Sequence, residues 1–100
     1  MQASVTVTDG RAVILLQGRF DFNSHRDFRE AVDKALESPG STITVNLAGV
    51  EYLDSSALGM LLMLRDRAKG AAREVTLTGC RSTVKQILDI ANFGKLFSMD

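Results

Sequence analysis

The first 18 positions contain two stretches typical of β-strands, one alternating and one apolar. In "SVTVT", Val5 and Val7 alternate with threonines, and Asp9-Gly10 separates this stretch from the apolar run "AVILL". Asp-Gly between two β-rich segments predicts a hairpin, because both central residues of the tight turn adopt positive φ. We therefore predict two antiparallel strands ending near Gly18. The second strand is apolar throughout, which favours an inner strand covered on both faces.

The pattern changes to helical spacing after residue 23. Asn23 or Ser24 can cap the start of this first helix, and Ser38-Pro39-Gly40 ends it. Its apolar stripe consists of Phe28, Ala31, Val32, Ala35 and Leu36. "TITVNL" then predicts a third strand with one apolar face, formed by Ile43, Val45 and Leu47.

Helix and strand alternate again in the second half. A second helix is predicted from about Ser55 to Lys69 with Gly70 as its terminator, and "EVTLTG" is a fourth strand. "STVKQILDIA" predicts a third helix, after which the tail packs back through Phe93, Leu96 and Phe97. The order β-β-α-β-α-β-α predicts a single α/β domain over residues 1–100. Its mixed sheet of four to five strands would be covered by three to four helices.

Composition excludes several classes of function. The 100 residues include 12 Lys plus Arg and 12 Asp plus Glu, so no strong electrostatic field favours nucleic acid or a membrane surface. Cys80 is the sole cysteine, which excludes an internal disulfide and a thiolate zinc cluster. The longest apolar run, Ala57 to Leu64, is shorter than the roughly 20 residues that span a bilayer. We expect a cytoplasmic domain, since the start lacks the pattern of a signal peptide.

The second predicted helix carries more apolar residues than one buried face requires. On a helical wheel, the side facing the sheet is formed by Ala57, Leu58, Leu61, Leu64 and Ala68. A second stripe is formed by Ser56, Gly59, Met60, Met63 and Arg67. Methionines commonly fill gaps in cores, so one interpretation is a helix buried nearly all round. The other is an exposed methionine-lined groove for a partner protein, with Ser56 at its head.

Two interpretations also exist for "DSS" at the start of this helix. Asp54 is a good N-cap, and serines are common in a first turn, so these residues can simply satisfy free N–H groups. A helix N-terminus also accommodates a phosphate, because its N–H groups and dipole favour negative charge. Phosphorylation of Ser56 would then add about −1.5 to −2 charges to an apolar surface without harm to the fold.

Catalysis and metal binding find little support among the other residues. His25 is the sole histidine, without the partners of a metal site or triad, and is interpreted as a surface or capping residue. A serine nucleophile would need an adjacent base and an oxyanion hole, and neither is recognisable. Asp21 and Asp54 either cap helices, position the hydroxyl or contact a partner protein. Glu51 is interpreted as a loop charge and Cys80 as a small buried hydrophobe. The basic residues around the end of the second helix are interpreted as solvated: Arg65, Arg67, Lys69 and Arg73.

The chain resembles the STAS domain of bacterial anti-sigma factor antagonists. The resemblance rests on the turn "GRFD" (18–21), the stretch "VNLAGVEYLDSSALGMLL" and the tail "VKQILDIANFGKLF". It implies that Ser56 is the phosphate acceptor of a serine-kinase anti-sigma factor, with Asp21 near the phosphosite. Together with the second stripe of the helix, the resemblance predicts a partner surface that includes Asp21, Asp54, Ser55, Ser56, Gly59, Met60, Met63 and Arg67. Ala57 replaces the usual glycine and Phe20 a common leucine; alanine is the better helix former, so the fold should not suffer.

The resemblance implies a cycle without cofactors and without enzymatic activity of the chain itself. Unphosphorylated, the protein would bind an anti-sigma factor with a GHKL-type kinase fold and so release the sigma factor. Phosphorylation of Ser56 would end that binding, and a PP2C-type phosphatase would restore it. The free protein is expected to be a monomer. The alternative is a STAS subunit without a phosphorylation cycle, docked constitutively on a transporter ATPase.

Overall fold

Five strands and three helices make up the computed structural model, which describes residues 1–99. The predicted order of elements is confirmed, with a fifth short strand at the end. The strands are β1 (Gln2–Thr8), β2 (Arg11–Phe20), β3 (Thr42–Leu53), β4 (Glu74–Thr78) and β5 (Ser98–Met99). The helices are α1 (His25–Glu37), α2 (Ser55–Gly70) and α3 (Ser82–Ile90), with 3₁₀ turns at Phe22–Ser24 and Phe93–Lys95.

The sheet is mixed, and its strands follow one another in chain order. β1 is antiparallel to β2, while β2, β3, β4 and β5 are parallel neighbours. The hairpin turn has φ of 50° at Asp9 and 74° at Gly10, which confirms the expectation from Asp-Gly. α1 and α2 contact each other, for example through Asp33 and Arg67, and they lie together on one face of the sheet.

That arrangement corrects the expectation of an inner strand covered on both faces. On β2, Ala12, Ile14 and Leu16 are buried, whereas Val13 and Leu15 between them are only partly buried. β3 shows the same alternation, with Ile43, Val45 and Leu47 buried as predicted. An apolar strand therefore indicated a central position in the sheet but not a second covering layer.

The chain end packs back onto the body through two of the three predicted residues. Phe93 and Phe97 are buried, and their rings stack with centroids 5.2 Å apart. Leu96 remains 39% exposed, so the expectation for this residue is wrong. β5 then pairs with β4 through Thr76–Ser98 and Leu77–Met99.

The end of α2 differs from the prediction in its terminating residue. The helix runs through Gly70, and the chain turns into the left-handed region at Ala72, with φ of 58°. The Arg73 N–H donates to the Ala68 carbonyl at 2.8 Å and the Ala72 N–H to that of Lys69 at 3.1 Å. This is the paired hydrogen-bond pattern of a Schellman motif, with alanine where glycine is usual.

Replacing Ala72 by glycine should raise the free energy of unfolding by about 1 kcal/mol, because glycine adopts positive φ without the steric cost of a Cβ atom. Urea unfolding followed by circular dichroism measures the change. The control is Ala71→Gly, where φ is −98° and alanine is unstrained, so the same change should not stabilise. Equal stabilisation by both variants would contradict the assignment of strain to Ala72.

Candidate functional site

Asp54 caps the N-terminus of α2, as one of the two interpretations of "DSS" predicts. Its backbone is extended, and its Oδ1 accepts a hydrogen bond from the Ala57 N–H at 2.9 Å. Ser55 is the first helical residue and is exposed, whereas Ser56 is the second and is half-buried. Because Asp54 supplies the cap, the helix does not need either serine for that purpose.

The second carboxylate oxygen of Asp54 connects α2 to a distant turn. Oδ2 accepts a hydrogen bond from the Phe22 N–H at 3.2 Å, across 32 positions of sequence. The Asp54 N–H itself donates to the Phe20 carbonyl at 3.3 Å. The turn that follows β2 is therefore fixed beside the start of α2.

Asp21 organises that turn from within. Its Oδ1 accepts from the Asn23 N–H at 3.0 Å, and the Ser24 hydroxyl accepts from the Asp21 N–H at 3.1 Å, which completes a capping box. The same hydroxyl donates to the Arg19 carbonyl at 2.9 Å. Arg19 lies 3.8 Å from the Asp21 carboxylate and above the ring of Tyr52, 4.5 Å from its centroid. Ser24 precedes α1 as predicted, but its hydroxyl serves the turn instead of the helix.

A shallow groove of about 300 Å³ lies between this turn and the first three turns of α2. We call it the Ser56 groove; it is lined by Phe22, His25, Ser56, Gly59, Met60 and Met63. Four of these residues were predicted from the sequence as one stripe of α2. Phe22 and His25 were not assigned to the site. Phe22 is 73% exposed, and the signal for it was an aromatic residue inside a polar turn, "DFNS".

The assignment of residues to the two faces of α2 needs one correction. Met60, predicted for the exposed stripe, is only 3% exposed, whereas Leu58, predicted for the sheet side, is partly exposed. The buried positions recur at i, i+3, i+4, i+7 and i+11: Ala57, Met60, Leu61, Leu64 and Ala68. Met60 therefore belongs to the core and reaches the groove only at its edge. Leu62 and Met63 are partly exposed, so the helix is neither fully buried nor clearly two-sided.

Arg67 and Asp33 form the far contact between α2 and α1. The Arg67 Nη1 donates to the Asp33 Oδ1 at 2.8 Å, and both side chains remain well exposed. The pair aligns the two helices, which run in the same direction because each follows a parallel strand. Arg67 therefore lies at the end of the stripe that begins at Ser56, and its guanidinium is hydrogen-bonded to Asp33 of α1.

The other candidates have structural roles or lie away from the groove. Arg73, predicted to be solvated, donates to the Ala35 carbonyl at 2.7 Å and also to the Ser38 carbonyl. Arg65 donates to the Leu96 carbonyl at 2.8 Å. Cys80 is partly buried, and this burial raises the pKa of its thiol. Among the described residues 1–99, no group of three or more acidic, histidine or cysteine side chains could hold a metal ion.

Comparison with known proteins identifies the family. A family model described as "Mlab, STAS domain" matches residues 3–98. A STAS-domain containing protein of Pseudomonas aeruginosa is 47% identical over 92 residues, which cover 91% of this chain and 90% of that relative. The chain therefore belongs to the STAS domain family. No helix within residues 1–99 is long and apolar enough to cross a membrane.

Solved structures share the fold at low sequence identity. The anti-sigma factor antagonist SpoIIAA of Bacillus, unphosphorylated, has a TM-score of 0.73 and 21% identity, with 98% of this chain and 86% of that chain covered. An anti-sigma factor antagonist of Mycobacterium paratuberculosis has a TM-score of 0.86 and 18% identity, over 98% and 83%. A sulfate transporter family protein of Wolinella succinogenes has a TM-score of 0.77 and 17% identity, over 95% and 80%. These matches show a common fold, shared by antagonists and a transporter-family protein.

Substitution of Asp54 by alanine should lower the free energy of unfolding by about 1 to 2 kcal/mol, because the two N–H groups that donate hydrogen bonds to its carboxylate lose their acceptor. Urea unfolding of the purified variant measures this loss. Asp66→Ala removes an exposed carboxylate from the same helix and should change stability by less than about 0.5 kcal/mol. Equal effects of the two substitutions would contradict the bridging role of Asp54.

Proposed function

We propose that this protein is an anti-sigma factor antagonist that switches partners through phosphorylation of Ser56. Unphosphorylated, it binds a serine-kinase anti-sigma factor of the GHKL type in the cytoplasm, through a surface that includes the Ser56 groove. Phosphorylation ends the binding, and a PP2C-type phosphatase restores it. The proposal places no catalytic residue in the chain, and the free protein is a monomer. The observation that carries it is the position of Ser56 on an already capped helix, beside the exposed side chain of Phe22.

The surroundings of Ser56 fit a local electrostatic switch. A phosphate at the second residue of α2 meets the positive end of the helix dipole, so the fold tolerates it. The same phosphate adds about −1.5 to −2 charges beside the apolar side chains of Met63 and Phe22. A partner docked there would have to desolvate that charge. A loss of about 3 kcal/mol would weaken binding roughly a hundredfold, enough to release the partner.

The other proposed contacts surround the groove. Next to the Ser56 end of the groove lie Asp21, Asp54 and Ser55. Asp21 fixes the turn there, and Asp54 fixes the start of α2. Arg67 lies outside the groove, one helical turn beyond Met63 and beside Asp33. SpoIIAA, whose structure is known in unphosphorylated and phosphorylated forms, has the same TM-score of 0.73 to this chain in each. This similarity supports a switch that leaves the fold unchanged.

Phosphate transfer to Ser56 is the direct test. The protein is incubated with Mg-ATP and, in turn, each GHKL-type anti-sigma factor kinase of the source organism. Mass spectrometry should then locate a single phosphate on Ser56, and Ser56→Ala should abolish the transfer. Modification confined to another residue, or none with any of these kinases, would refute the proposal.

The affinity of the unmodified and charged forms provides a second test. Ser56→Ala should bind the kinase like the native chain, while Ser56→Asp should bind more weakly, because it places a carboxylate on the contact surface. The loss should exceed tenfold, measured by isothermal titration calorimetry. Ser82→Asp introduces the same charge at the first turn of α3 and should leave the affinity unchanged. Equal affinity of the Ser56→Ala and Ser56→Asp variants would contradict the switch.

Removal of the Phe22 ring should weaken kinase binding by at least tenfold, because exposed aromatic side chains at the centre of an interface contribute strongly to affinity. Phe22→Ala should leave the stability of the free protein nearly unchanged, since the ring is 73% exposed. Ile90→Ala is the matched control, as Ile90 is 83% exposed on α3. If both variants bind like the native protein, Phe22 lies outside the interface.

A second candidate function is a STAS subunit that docks constitutively on the ATPase of a transporter. The family model described as "Mlab, STAS domain" and the structural match to a sulfate transporter family protein both favour it. The same groove would serve as the docking surface, but Ser56 would stay unmodified. A stable complex with a transporter ATPase that survives Ser56→Ala, without phosphate on Ser56 in vivo, would select this function.

A further inference from the structure

One side chain of the Ser56 groove can carry a positive charge. Of the six residues that line it, all within the described part of the chain, only His25 is ionisable as a cation. His25 is the first residue of α1 and follows Phe22 by three positions, so both side chains project on the same side of the turn. The turn is held against α2 by the hydrogen bond from Phe22 to Asp54, and this places His25 across the groove from Ser56.

Most of the charged side chains near the Ser56 groove already have a hydrogen-bond or ion-pair partner. On α2, Asp54 accepts from two N–H groups. In the turn after β2, Asp21 accepts from the Asn23 N–H and faces the guanidinium of Arg19. On α1, Arg26 lies 3.5 Å from Glu30, and Arg29 is exposed one turn beyond His25. Among the six residues that line the groove, His25 is therefore the one whose side chain could pair with a negative charge on Ser56.

We propose that His25 is the positioning residue for the phosphate of the switch: it pairs with a phosphoryl group on Ser56 and holds it within the groove. The inference rests on the proposed function, because it concerns the phosphorylated form. A doubly protonated imidazole donates a charge-assisted hydrogen bond to a phosphate oxygen, and this bond favours the dianionic phosphate. This pairing lowers the net negative charge that the phosphate presents at the surface, so loss of the imidazole should make release of the partner more complete.

The test uses the full chain with phosphoserine inserted at position 56 by genetic encoding, so no kinase is required. Titration of its ³¹P resonance from pH 4.5 to 8.5 reports the second ionisation of the phosphate. The midpoint should lie about half a pH unit lower in the native sequence than in His25→Gln, the size expected for an exposed charge pair. The control is Lys34→Gln, which removes an exposed cation from the same helix on the side facing β1 and should leave the midpoint unchanged.

Two results would overturn the inference. One is an equal midpoint in the native sequence and in His25→Gln; the other is a shift caused by Arg29→Gln but not by His25→Gln. The amide spectrum of unphosphorylated His25→Gln should match that of the native protein, which excludes a merely structural effect. Failure of every kinase to phosphorylate Ser56 would refute the proposed function, whereas this titration would still decide the role of His25.

Discussion

The carboxylate of Asp54 is the constraint on which the candidate site depends. Its two oxygens accept hydrogen bonds from the N–H groups of Ala57 and Phe22, so one side chain fixes both the start of α2 and the turn before α1. This is possible because β2 and β3 are parallel and end at the same edge, where Phe20 pairs with Leu53. The groove is thus a consequence of strand topology, completed by one hydrogen-bonded side chain.

Features set by neighbours in sequence could be predicted, and features set by distant contacts could not. The Asp9-Gly10 turn, the alternation of strands and helices, and the cap at Asp54 each depend on a few adjacent residues. Phe22 was missed because its exposure depends on a turn fixed by a residue 32 positions away. The role proposed for Ser56 comes from the resemblance to the STAS family, because no local pattern could supply it.

The errors on α2 have a common physical cause. Where nearly every position is apolar, the helical wheel no longer indicates which side faces the sheet, and packing decides between Met60 and Leu58. At the other end of the helix, Gly70 was predicted as the terminator because glycine usually occupies the left-handed position after a helix. The hydrogen bonds of the final turn place that position at Ala72 instead. The preference for glycine at the left-handed position is overridden here, because the chain must turn just before β4, which begins two residues after Ala72 at Glu74.

Ser24 and Ser56 differ in how far the fold depends on their surroundings. Ser24 is 1% exposed, and its hydroxyl both accepts from the Asp21 N–H and donates to the Arg19 carbonyl, so a phosphate there would break the turn. Ser56 lies in an open groove on a helix whose cap comes from another residue. A group added to Ser56 would therefore leave the cap of α2 in place. In the proposed switch, this separation would confine the effect of the phosphate to the charge of the binding surface.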